Sequence, residues 1–274
     1  MWYVLAASLL LLPLYQRGAM ILLLVALGLA ISNQTLLAPG IIALVLIGIV
    51  ALYCRWQKKP GPFSLAGEFI LVACAVALML HLIPGFHNLP IVSGVQAGPQ
   101  SAPFTFYYNL DKALIPFLLL AALPGLLQRP AKAPSNPVWW LVLLMSMPLL
   151  LLAATLAGGI KVEPHLPEWL GAFMLANLFF VSMAEEALFR GYVQQRLSKL
   201  LGDKPALLIA ALLFGCAHFS GGLLLVLFAT LAGIIYGLAW MWSGRLWVAT
   251  LMHFSFNMLH LLFFTYPVLQ PLAK

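Results

Sequence analysis

The sequence predicts an all-α fold, a polytopic transmembrane helical bundle of about 8–10 spans whose active site lies in the C-terminal helices. Three observations carry this. The chain is 64% hydrophobic and only 8% charged, with a mean hydropathy of +1.03, far outside the range of soluble domains. Apolar runs near the length that crosses a hydrocarbon core, about 20 helical residues, recur along it. Two adjacent glutamates, Glu185 and Glu186, stand in the middle of one such run, and carboxylates at that depth serve a function by default.

In chain order the expected spans are 2–15, 18–33, 37–54, 65–84, 112–128, 138–160, 168–194, 205–220, 222–242 and 246–266. The first two are short enough to form a re-entrant pair or a tilted hairpin. The run from Trp2 to Leu14 lacks a basic flank and a small-residue cleavage site, so it is expected to remain as a helix. Residues 85–111, rich in Pro, Gly and aromatics, form the one long connection and fit either a lid or substrate-recognition loop or an ordinary surface loop. The Pro-rich stretch from Arg129 to Pro134 divides an N-terminal transmembrane region, 1–135, from a C-terminal helical domain, 138–266. Cys54, Cys74 and Cys216 show neither paired nor metal-finger spacing and are expected to be structural.

The net charge of +7 would suggest nucleic acid in a soluble protein, but here the basic residues sit between apolar segments and no nucleic-acid partner is expected. Alternating the connections puts Arg17, Arg55, Lys58, Lys59, Arg129, Lys132, Arg196, Lys199, Lys204 and Arg245 on one side, against Lys112, Lys161 and Lys274 on the other. By the positive-inside rule the first side is cytoplasmic. The expected location is a multi-pass integral membrane protein, in the plasma (inner) membrane if the source is bacterial, with the lipid bilayer as a permanent partner.

Polar groups able to do chemistry concentrate in the last four spans. Glu186 and Arg190, four residues apart, share a helix face and suit a charge-neutralising pair. Glu185 points about 100° away from Glu186 and has no partner on its own helix, as befits a general base facing a cavity. An ionic cluster gluing helices together is the plain alternative. His253 and Asn257 also share a face, and an imidazole with a carboxamide can donate hydrogen bonds to an oxyanion without a permanent charge; interhelical hydrogen bonding would explain them as well. His218 follows Phe214, an aromatic wall one turn earlier. Counted from the basic ends, Glu185, His218 and His253 lie roughly 12–20 Å deep, at a similar level. Gly233 and Gly237 permit close helix approach, with Tyr236 between them near the cavity, and His260 continues the His253 stripe as packing or support. The remaining acids, Glu68, Asp111, Glu163, Glu168 and Asp203, lie nearer segment ends or connections.

Glu185-Glu186-Ala187-Leu188-Phe189-Arg190, Phe214-Gly215-Cys216-Ala217-His218 and His253-Phe254-Ser255-Phe256-Asn257 resemble, in order and spacing, the EExxxR, FxxxH and HxxxN motifs of the CPBP family. These are the CAAX prenyl protease 2-like intramembrane proteases and their bacterial relatives, also called Abi proteins. The resemblance covers about residues 138–266 and implies a glutamic-type protease with a water-accessible cavity. It implies Glu185 and His218 as activators of water, His253 and Asn257 as the oxyanion site, and Glu186, Arg190 and Phe214 as structural support. Members are often classed as metalloproteases, and Glu185, His218 and His253 are of types that ligate zinc, but no HExxH motif is present and a metal-free site is expected. The expected partner is a membrane-associated protein or peptide substrate. A non-catalytic protein of the same fold, binding a membrane partner or giving immunity against a peptide, is the alternative. An ion-coupled transporter is a third reading, weakened by the lack of visible repeats.

Overall fold

The computed structural model describes residues 1–56 and 62–270. Lys58, Lys59 and Lys274 lie outside the described residues. Among the described residues ten helices form, one for each expected span: α1 (Trp2–Leu11), α2 (Gln16–Ser32), α3 (Ala38–Trp56), α4 (Pro62–Met79), α5 (Leu110–Ala122), α6 (Val138–Leu156), α7 (Leu170–Leu201), α8 (Asp203–Cys216), α9 (Leu223–Ser243) and α10 (Leu246–Phe263). Leucine-rich runs favour helix, and in a bilayer a helix satisfies its own backbone groups, so that Pro116 and Pro148 are tolerated inside α5 and α6. Stops are local. Gly244, at φ 67°, closes α9 in the left-handed conformation with its N–H on Trp240 O, a geometry that a side chain would strain.

Among the described residues, four helices, α6, α7, α9 and α10, are long and apolar enough to cross a membrane. α1, with 10 residues, reaches only about 15 Å and packs against α2 as a short hairpin. One buried core runs from Leu5 in α1 through Leu71, Leu119 and Phe180 to Leu261 in α10, so residues from both halves of the chain share it. The outward faces of α6 and α9 stay apolar, with Leu149, Leu152, Leu227 and Leu231 exposed, as a lipid-facing surface requires.

The two ends of the bundle separate the basic connections from the others. At one end the linker between α5 and α6 binds the turn between α9 and α10: Arg129 N–H donates to Gly244 O at 2.8 Å and Lys132 N–H to Met241 O at 3.0 Å. Asp203 there pairs with Arg129 at 2.8 Å and with Lys132, and Arg196 of α7 clasps Glu68 of α4 at 2.6 Å. At the other end Lys161 N–H meets Thr265 Oγ1, and Gln100 N–H and Ser101 Oγ donate to the buried Glu163 carboxylate, each at 2.7 Å.

An all-helical reading omits one feature. Within 85–111 the chain forms an antiparallel hairpin, β1 (Pro90–Val95) and β2 (Phe104–Tyr107), with irregular register between Pro90/Tyr107, Val92/Phe106 and Val95/Phe104. Alternating aromatics at 104 and 106 suit a strand with one buried face, and Phe106 is buried while Thr105 and Tyr107 are exposed. The Pro and Gly content hides this pattern.

Candidate active site

α7 carries the glutamates, and it is not a uniform α-helix. Residues Ala176–Ser182 and Ala187–Gln194 are wound as π-helix, on either side of the α-helical turn Met183–Glu186. Such turns cluster at functional sites because i→i+5 bonding re-aims side chains. Here the first π segment sets Asn177 beside Ser182. Five residues apart on an α-helix they would diverge by about 140°; in the wider winding Ser182 Oγ donates to Asn177 Oδ1 at 3.1 Å.

Glu186 and Arg190 pair as expected, at 2.8 Å, both with side chains at 0% exposure. Arg190 also donates from Nη2 to Gly233 O at 3.0 Å and lies 4.5 Å from the centre of the Phe214 ring. Gln194, one turn on, donates to Gly237 O at 3.1 Å. The two glycines of α9 thus let carbonyls be reached from α7, since no side chain stands in the way.

The same Glu186 Oε1 accepts a hydrogen bond from His253 Nδ1 at 2.9 Å. This link from α7 to α10 is absent from any local sequence pattern. A carboxylate oxygen only accepts, so Nδ1 carries the proton and the other ring nitrogen, Nε2, faces Glu185 Oε2 at 4.0 Å. His253 is buried, stacked on Tyr236 with ring centres 4.6 Å apart and nearly parallel planes. With Nδ1–H committed to Glu186, Nε2 can donate only when the ring holds a second proton. Glu186 is also more than a partner for Arg190, because it orients His253.

Asn257 lies one turn after His253, and its Nδ2 donates to Asn177 Oδ1 at 3.2 Å. Asn177 is the residue that sequence reasoning missed. The available signal was a lone polar pair, Asn177 and Ser182, in an apolar run upstream of the glutamates.

His218 stands in the turn beyond α8, rather than on the helix, because α8 ends at Cys216. Its Nδ1 is 2.8 Å from Phe214 O. A carbonyl only accepts, so Nδ1 holds a proton, and in the neutral ring Nε2 then keeps a lone pair. Phe214 touches both histidine rings, at 4.8 Å to His218 and 5.6 Å to His253, and fills the wall expected of it. His260 donates from Nε2 to Thr265 O at 3.1 Å.

Glu185, Asn177, His218, His253 and Asn257 line one cavity of about 630 Å³, together with Phe214 and Tyr236. Its far wall is β2 and the segment after α10. Glu185, 12% exposed at its side chain, makes no hydrogen bond among the described residues. Glu68, Asp111, Glu163 and Asp203, by contrast, are each bonded to a neighbour. A carboxylate held in a cavity with an open coordination sphere can take a proton from a bound water. Among the described residues, no three His, Cys, Asp or Glu side chains are grouped to hold a metal ion. The cysteines are free.

Residues 167–259 match the family model described as type II CAAX prenyl endopeptidase, Rce1-like. No curated protein and no solved structure matches the chain. The matched segment begins just before α7 and ends after Asn257, so it contains all three motifs. This segment, about a third of the chain, is thus similar to the CAAX-type endopeptidases that its three motifs resemble.

Proposed function

We propose that the protein is an intramembrane endopeptidase of glutamic type that cleaves a membrane-associated protein or peptide. The observation that carries this reading is the lining of one cavity by Glu185, His218, His253 and Asn257, which three separate parts of the chain contribute. A water held between the Glu185 carboxylate and His218 Nε2 attacks the carbonyl carbon of the substrate. Its proton passes to Glu185 as the C–O bond forms. His253 Nε2–H and the second Nδ2 hydrogen of Asn257 take up the oxyanion.

The intermediate collapses by breaking the C–N bond, with Glu185 returning the proton to the leaving nitrogen. Products are a carboxylate and an amine. Glu186, Arg190 and Phe214 hold His253 in place. The basic end faces the cytoplasm in this reading, and the cavity opens toward the opposite side, where the hairpin lies.

The test compares membrane proteins and peptides accumulated by cells carrying the wild type or Glu185→Ala. A protease predicts uncleaved species that rise only with the variant. Identical profiles would favour the partner-binding or immunity reading.

A further inference from the structure

The cavity is walled by β2 in an unusual way, since Phe104, Thr105, Phe106 and Tyr107 all line it. Successive side chains of a strand point to opposite faces, so a cavity touched by all four meets the strand along its edge. β1 occupies the other edge. Apart from the bonds to β1, no backbone N–H or C=O of these four residues has a partner among the described residues. The free edge of β1 lines no part of the cavity.

From this edge a continuous aromatic floor leads inward. Phe104 packs against Trp169 at 5.2 Å and Tyr266 at 5.1 Å, and Phe106 packs against Phe173 at 5.8 Å. Tyr266 in turn rests on His260 at 5.0 Å, one turn from Asn257. Among the described residues, Glu185 is the one carboxylate on the cavity lining, which has no lysine or arginine.

We propose that the free edge of β2 is the docking strand for the substrate: an extended, apolar polypeptide segment adds to it as a third strand and brings a peptide bond beside Glu185. This deepens the endopeptidase reading and rests on it for the identity of the ligand. A peptide bond inside a helix has both polar groups committed and its carbonyl shielded; in an added strand the ladder bonds supply affinity while side chains enter pockets on alternate sides. Apolar side chains suit the aromatic floor, and charged ones would find no partner beside β2.

The experiment measures binding rather than cleavage. A short, fluorescently labelled apolar peptide is titrated into the detergent-solubilised full chain carrying Glu185→Gln, and each backbone nitrogen of the peptide is methylated in turn. A strand presents its N–H groups to one neighbour at alternate residues. Methylation should therefore weaken binding about five- to tenfold at every second position and little between them. Uniform sensitivity, or no binding, would overturn the docking. Alternating sensitivity in a protein whose wild type cleaves nothing would keep the docking and overturn the endopeptidase reading instead.

Discussion

Glu186 Oε1 accepts from His253 Nδ1 at 2.9 Å, while the same oxygen holds Arg190 at 2.8 Å. One buried carboxylate thus couples an ion pair within α7 to the orientation of an imidazole on α10. The two adjacent glutamates differ for this reason: Glu186 Oε1 is bonded to both Arg190 and His253, whereas Glu185 makes no hydrogen bond among the described residues.

Glu186→Gln should therefore damage the fold as well as the chemistry. Breaking a buried pair by removing one charge costs about 3–5 kcal/mol, because Arg190 stays buried without its counter-charge. The melting temperature and the yield of folded protein should fall together with turnover. A fully stable but inactive Glu186→Gln would exchange the roles of the two glutamates.

Asn177 should act through Asn257. By accepting one Nδ2 hydrogen it fixes which end of the Asn257 amide faces the cavity, and Ser182 fixes Asn177 in turn. Asn257→Ala is expected to lower kcat by about 10²–10³-fold with KM little changed. Asn177→Ala should lower kcat by about tenfold, yet have no further effect in an Asn257→Ala background. Losses that multiply in the double variant would show that Asn177 serves packing alone.

The helices and one half of the site were legible in the sequence. Apolar runs bounded by Gly, Pro and basic residues mark α1 to α10, and four-residue spacing exposes the Glu186–Arg190 pair. What was not legible depends on contacts between distant segments. The His253–Glu186 bond joins residues 67 apart in sequence, and the Asn177–Ser182 pairing requires π winding that α-helical spacing arguments do not anticipate. The hairpin was hidden by the Pro and Gly residues that read as loop, although Phe104 and Phe106 alternate with exposed positions. His218 slid from helix to turn because α8 stops at Cys216.

At the basic end, hydrogen bonds from Lys132 and then Arg129 hold the Asp203 carboxyl below its usual range. A carboxylate whose folded value is lowered stabilises the fold above its unfolded value, about 3.9, and loses that contribution as the pH falls through the folded value. Asp203→Asn should cost at most about 1 kcal/mol at neutral pH, since the cluster is partly solvated. Thermal melts should show the gap between wild type and variant undiminished down to about pH 5 and closing below about pH 4. A gap that widens on acidification would reverse the assignment.

Lys132 and Gln96 sit at opposite ends of the bundle, one bonded to Met241 O and the other to Ser101 O. In a cysteine-free background, a cysteine replacing Lys132 should be shielded from an impermeant thiol reagent in intact cells, and one replacing Gln96 labelled. The reverse pattern would invert the orientation.

The most direct measurement is peptide-bond cleavage by purified Glu185→Gln beside the wild type, with folding followed by thermal melts. The carboxamide keeps the shape of Glu185 but cannot take the proton of water. The variant should melt like the wild type and retain less than about 1% of its activity, as loss of a general base costs about 10²–10⁴-fold. A folded Glu185→Gln that cleaves at more than about a tenth of the wild-type rate would remove Glu185 as the base and contradict the mechanism.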